Sequence, residues 1–296
     1  MRRGLKVLVV AAALAAPPLA FAQELHLDVP YVPTRPEVVA KMLQMAHVGK
    51  DDVLYDLGCG DGRIVVTAAK LYGTHGTGID INPERIKESR ENAEREGVTP
   101  LVRFLQQDLF QTDFRDATVV TLYLLSSVNL RLRPILFEQL RPGTRVVSHD
   151  FSMDTWKPDD STVVDTGNMS HDVYFWVIPA NISGSWGWTW PEGGRLDPCR
   201  FDFDQHFQRA TGRLDVAGTD LALLDLTVSG GQVSFSIDRA ENGKKSHVIF
   251  RARAVRDTMV GTMVVQGAGK SAEKPWKAVR NPATRKAIDS DGPMLY

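Results

Sequence analysis

"DVLYDLGCGDGRIVVTAAKLYG", Asp52 to Gly73, sets the architecture of the first half of the chain. Its opening six residues are a short apolar run that ends at a glycine, which reads as a buried strand. Gly58, Gly60 and Gly62 follow, interleaved with Asp61, and "GRIVVTAAKLYG" then has the spacing of a helix that Gly73 stops. The strand ends in an acidic residue, Asp56, just before the first glycine. The question is what a loop with three glycines and two carboxylates can hold.

Outward from this stretch, strands and helices alternate. Upstream, "PEVVAKMLQMAHV" (Pro36 to Val48) groups Val38, Val39, Met42 and Leu43 on one side at helical spacing. Downstream come a strand "GTGIDI" ending near Asp80 and a helix "PERIKESRENAEREG" with Pro83 at its start and Gly97 after its end. "LVRFLQQD", "ATVVTLYLL" and "TRVVSHD" supply three more strands, with a helix expected over Leu130 to Leu140. Such alternation specifies a parallel sheet with helices on both faces. "STVVDT" and "HDVYFWVI" have little helix between them and predict an antiparallel pair at one sheet edge.

From about Asn181 the texture changes to short alternating runs between Gly, Asp and Asn turns. In "QVSFSIDRA", Val233, Phe235 and Ile237 share one face and Ser234 and Ser236 the other. The expected fold class is therefore α/β, a doubly covered sheet over residues 23–180, followed by a small antiparallel β-domain, barrel or sandwich, over 181–280. The polar tail 281–296 is expected to be loose. Trp186, Trp188 and Trp190 alternate and share one strand face, either as a stacking platform for sugars or lipids or as rings plugging the end of a small barrel.

The chain has 296 residues, 43% apolar and 24% charged, an ordinary globular composition. Arg2, Arg3 and Lys6 precede an apolar run that ends in Ala20-Phe21-Ala22, the layout of an export signal over residues 1–22. Its removal takes three positive charges and changes the net charge from −1 to −4. An exported, periplasmic protein is expected, with a membrane anchor as the alternative if the segment is retained. A mildly acidic chain carries no electrostatic footprint for nucleic acid. The two cysteines, Cys59 and Cys199, give no disulfide framework and are expected as buried thiols.

A dinucleotide fingerprint places its third glycine where Arg63 stands, and Asp56 and Asp61 would repel a pyrophosphate. The Lys-Ser/Thr ending of a phosphate-cradling P-loop is also missing. S-adenosyl-L-methionine has the opposite needs: a sulfonium and an ammonium, one carboxylate and no phosphate. Asp56 can attract its cationic end while glycine lets the backbone approach. Asp80, twenty residues after Gly60, can accept both ribose hydroxyls, and Asp108 at the third strand end can meet the adenine edge. Any one of these aspartates could be a turn or cap residue. Three at successive strand ends favour a methyl-donor site, with no metal expected.

Residues 30–180 resemble a class I S-adenosylmethionine-dependent methyltransferase with a seven-stranded, Rossmann-like sheet. "VPYVPT", "DLGCGDGRIV", "LLSSVNLRLRP" and "GTRVVSHDF" are similar to the branch of the mitochondrial ATP synthase c-subunit lysine methyltransferase and its bacterial relatives. The resemblance implies methyl transfer to a protein lysine amine, so the implied partner is a protein substrate. It implies that Asp56, Gly58, Gly60 and Gly62 contact the methionine end, with Tyr31 and Thr34 covering it. Asp80 would bind ribose and Asp108 adenine. Tyr31 could equally serve as a hydrophobic lid over the core.

On the acceptor side, groups beyond the carboxyl ends of the fourth and fifth strands are the candidates: Tyr123, His149 and Asp150, with His149 a conceivable proton acceptor. Each could instead be a packing or capping residue. A second reading, motivated by the export signal, is an exported binding protein that keeps the methyltransferase fold without turnover.

Overall fold

A computed structural model describes residues 29–192, 195–241, 244–267 and 270–289. The expected export segment 1–22 lies outside the described residues.

The first half is a seven-stranded sheet in the order β3-β2-β1-β4-β5-β7-β6. Its strands are β1 (Val53–Leu57), β2 (His75–Asp80), β3 (Val102–Gln106), β4 (Val119–Leu122), β5 (Arg145–His149), β6 (Asp160–Asp165) and β7 (Ser170–Val177). β1 to β5 are mutually parallel, and β7 runs antiparallel between β5 and β6, as the two extended runs predict. The four central residues from Leu54 to Leu57 are all buried, as is every residue of β4, because helices cover both faces.

Among the described residues, four helices do the covering. α1 (Pro36–Met45) buries Val38, Val39, Met42 and Leu43. α2 (Arg63–Tyr72) begins and ends at glycines in the left-handed region, Gly62 and Gly73. α3 (Pro83–Arg95) is capped by Asn82, whose side chain accepts from the Glu84 amide at 2.9 Å. α4 (Ser126–Gln139) starts four residues before the expected Leu130 and carries Pro134 in its interior. The Leu125 carbonyl accepts from Val128 and Asn129, which closes the first turn early. Val128, Leu132 and Leu136 then seat the helix on the sheet, and this packing outweighs the cost of the internal proline.

The second half is a nine-stranded antiparallel sheet in the order β11-β10-β9-β8-β16-β15-β14-β13-β12. These are β8 (Gly184–Glu192), β9 (Arg195–His206), β10 (Arg209–Val216), β11 (Thr219–Ala222), β12 (Leu224–Ser229), β13 (Gln232–Glu241), β14 (Lys244–Val255), β15 (Thr258–Gly267) and β16 (Lys270–Arg280). β10 also lies against β12 and β11 against β13, so the sheet curls into a nearly closed barrel. Trp186, Trp188 and Trp190 are at most 9% exposed and pack inside with Phe201, Phe235, Phe250 and Trp276. They are core rings, not an exposed platform. Cys59 and Cys199 are buried free thiols.

The two halves interlock. Phe207, in the turn from β9 to β10, leaves the barrel and packs in the core of the first half, stacked on Trp156 at 6.0 Å. Its amide donates to the Ile288 carbonyl at 2.9 Å, and Asp289 pairs with the buried Arg133 at 2.6 Å. The expectation of a loose tail is thereby corrected for residues 281–289: Ile288 is buried, and the Lys286 carbonyl accepts from Asn181 and Ser183. Polarity suggests looseness, but the segment's backbone bonds are made with the barrel.

Candidate functional site

The strand order reverses between β1 and β4, so a crevice opens beyond their carboxyl ends. A cavity of about 370 Å³ occupies it, and Tyr31, Thr34, Asp56, Gly58, Gly60, Asp80, Asp108 and Tyr123 are all in its lining. Leu124, Leu125, Val128 and Phe151 make the wall around Tyr123 apolar.

The glycine loop is held by backbone bonds to the next strand. The amides of Gly58 and Cys59 both donate to the Ile79 carbonyl at 2.8 Å. The Gly60 amide donates to Asp80 Oδ2, and the Asn82 amide to Asp80 Oδ1, each at 2.9 Å. Asp80, bonded by the backbone amides of Gly60, Asn82 and Ile81, therefore ties the loop to the end of β2. Gly62 stands apart from the cavity. It sits at φ +74 at the start of α2, where a β-carbon would come within 2.6 Å of Phe104 and Ser89. Its role is to start the helix under a tight side-chain roof.

Asp56 is fully buried at the end of β1, accepting a hydrogen bond from the Thr121 hydroxyl at 2.8 Å. Burial pushes its carboxyl up to about 7; the Thr121 hydrogen bond opposes the rise and the charges of Asp80 and Asp61 add to it. Burial also raises Asp80, against the pull of its backbone donors. Asp108 caps the short 3-10 turn Leu109–Gln111, accepting from the Phe110 amide at 2.9 Å, so the cap role and the cavity position coincide.

The segment before α1 closes over the loop. Arg63 pairs with Asp61 at 2.6 Å and donates through Nη1 to the Thr34 carbonyl at 2.8 Å. The Arg85 guanidinium lies 4.4 Å from the centroid of the Tyr31 ring. Neither arginine stands out in the sequence. Arg63 is noticeable there only as the residue replacing a third glycine, and its reach back to Thr34 is tertiary.

Of the acceptor-side candidates Tyr123, His149 and Asp150, Tyr123 lines the cavity. His149 is 1% exposed and lies behind it, the two ring centroids 3.8 Å apart. Burial holds the His149 imidazole down at about 4, with the Asp150 charge pulling the other way, so at neutral pH the ring is uncharged. Asp150 likewise lies off the cavity wall, beside His149 and His171. Of the three candidates, the structure brings Tyr123 to the site and puts His149 and Asp150 one layer behind it. His171, at the start of β7, is a member of that layer which sequence reasoning misses.

With Asp61 neutralised by Arg63, the cavity presents Asp56, Asp80 and Asp108 to whatever enters. Asp80 and Asp108, joined by Asp56 once it gives up its proton, favour a cationic ligand over a phosphate. The geometry fits S-adenosylmethionine.

Comparison with known proteins agrees. The family model of the ANTKMT methyltransferase domain matches residues 56–160. A protein-lysine N-methyltransferase of Saccharolobus islandicus (strain REY15A) is 50% identical over 151 residues, covering 51% of this chain and 94% of that protein. The mouse adenine nucleotide translocase lysine N-methyltransferase is 35% identical over 134 residues, 45% of this chain and 58% of its own length. Among solved structures, an RNA methyltransferase from Salinibacter ruber in complex with S-adenosyl-L-homocysteine shares 57% identity, with a TM-score of 0.48, over 51% of this chain and 96% of that one. Half-identity across nearly the whole length of the Saccharolobus islandicus protein places this chain in the protein-lysine N-methyltransferase family of S-adenosylmethionine-dependent methyltransferases.

Proposed function

We propose that the enzyme methylates lysine side chains of a protein substrate. The observation that carries this is the 50% identity to a relative named a protein-lysine N-methyltransferase, over 94% of that relative. In this reading Asp56 faces the cationic methionine end, Gly58 and Gly60 let the backbone approach it, and Tyr31 and Thr34 close over it. Gly62 contributes by setting the start of α2. Asp80 accepts the ribose hydroxyls, and Asp108 meets the adenine edge.

Lysine must attack as a neutral amine. The apolar wall of Leu124, Leu125, Val128 and Phe151 disfavours the ammonium form, so the amine gives up its proton to solvent water as it enters. The amine lone pair then forms the N–C bond while the C–S bond breaks and its electron pair goes to sulfur. Tyr123 borders the place where the amine enters, and His149 supports that ring from behind. The barrel is locked to the catalytic half through Phe207.

The test is incubation of the purified enzyme with methyl-labelled S-adenosylmethionine and proteins of its native host. Label on lysine ε-nitrogens, read by mass spectrometry, supports the reading. Absence of transfer, or label confined to RNA, contradicts it.

Residues 1–22 are further proposed to direct export to the periplasm, supported by the three cations, the apolar run and the Ala-Phe-Ala ending. N-terminal sequencing of the protein from its host should begin at Gln23; a Met1 or Arg2 terminus contradicts export.

A further inference from the structure

Behind Tyr123, three potential ligand atoms converge. His149 Nε2 lies 3.0 Å from His171 Nδ1 and 3.2 Å from Asp150 Oδ2, and His171 Nδ1 lies 3.1 Å from the same Oδ2. We propose that His149, Asp150 and His171 form a binding site for a divalent transition-metal cation of the zinc class.

The triangle has the right size. Ligand atoms about 2.0–2.1 Å from a zinc ion are about 3.0–3.4 Å from one another, depending on coordination number. An ion at that distance from all three atoms sits roughly 1 Å out of their plane, leaving its remaining positions open. Two imidazoles and one carboxylate are a donor set for borderline divalent ions rather than for calcium or magnesium.

Hydrogen bonding alone serves this triangle poorly. A proton on His171 Nδ1 can point at Asp150 or at His149, not at both with good geometry. Protons on both ring nitrogens would face each other at 3.0 Å. A cation instead uses all three lone pairs at once.

The surroundings orient two of the three ligands, His149 and Asp150. Nδ1 of His149 lies 3.3 Å from the Thr34 hydroxyl, which accepts a proton from Nδ1 when Nε2 is a ligand. The second oxygen of Asp150 accepts from the Asp172 amide at 2.9 Å, fixing the carboxylate. Asp150 itself holds φ +59, a conformation that costs a residue with a side chain and is kept where the surroundings impose it. His149 and His171 are buried, while the Asp150 side chain is 28% exposed and gives the ion its entry. Through Thr34, the site is joined to the segment that covers the methyl-donor cavity. The inference does not depend on which acceptor the enzyme methylates.

The experiment is titration of the chelator-treated full chain with Zn2+ alone, against a chromophoric competitor, with metal content read by mass spectrometry. One tightly held equivalent per chain is expected. Asp150→Asn and His171→Ala should each weaken it at least about tenfold, since loss of even an outer partner of a ligand typically costs that much. A measurement on the unaltered chain guards against variants that fail to fold: the ring nitrogen resonances of His149 and His171 should shift on adding Zn2+, and those of the other histidines should not. Binding below one equivalent, equal binding by well-folded variants, or unmoved His149 and His171 resonances would overturn the assignment.

Discussion

The ring of Tyr31 rests on Gly60: a β-carbon there would lie 2.6 Å from Tyr31 Cε2. The second glycine of the loop is thus required twice, by its φ of +54 and by the aromatic ring packed on it. Gly60→Ala should push Tyr31 off the loop and weaken S-adenosylmethionine binding at least about tenfold, the equivalent of about 1.4 kcal/mol. Equilibrium binding of the donor checks this; an unchanged affinity would separate Tyr31 from the donor site.

Arg63 holds two elements at once, Asp61 and the Thr34 carbonyl. Arg63→Ala should free the covering segment and leave the Asp61 charge uncompensated beside the cavity. We expect faster donor release in stopped-flow measurements, with Arg63→Lys recovering only part, because a single ammonium cannot reproduce the forked contacts. Full recovery by lysine would show that charge alone matters.

The pH dependence follows from Asp56. Free in the folded protein it keeps its proton up to about pH 7, whereas an unfolded aspartate has released it near pH 4. Folded-state pKa is raised, so this group's contribution favours folding at low pH and is lost as pH rises towards about 7. A cationic donor favours the ionised form. Binding should therefore release a proton below about pH 7 and tighten as pH climbs to that value, then level off. Calorimetry in buffers of different ionisation enthalpy reads the released proton; proton uptake, or affinity flat across this range, would contradict the assignment of Asp56.

Phe207 belongs to the barrel by sequence and to the neighbouring core by packing. Phe207→Ala should cost about 3–5 kcal/mol, as for other fully buried phenylalanines, and lower the melting temperature of the whole chain. A melt that loses only the barrel signal would show that the two halves are not coupled through this ring.

The sheet could be read from the sequence because its central strands β1 and β4 are apolar runs and Gly73, Pro83 and Gly97 mark the helix ends between strands by local chemistry. The cavity was legible for the same reason: Asp56, Asp80 and Asp108 stand at strand ends, wherever the strands go. The start of α4 was not, since burial of Val128 and Asn129 against the sheet extends the helix beyond what Pro134 suggests locally. The packed tail at Ile288 and the cluster behind Tyr123 were not legible either. His171 meets Asp150 only because β7 pairs antiparallel with β5, placing Val173 opposite His149. No local pattern announces that register.

Asp80 tests the central claim most directly, because its carboxylate both holds the Gly60 amide and faces the cavity. Calorimetric titration of S-adenosylmethionine into the wild type and Asp80→Ala is the measurement. Loss of charge-assisted hydrogen bonds should cost about 1.5–3 kcal/mol, roughly a ten- to hundredfold drop in affinity. No binding by the wild type, or equal binding by a folded Asp80→Ala protein, would contradict a donor site built on the end of β2.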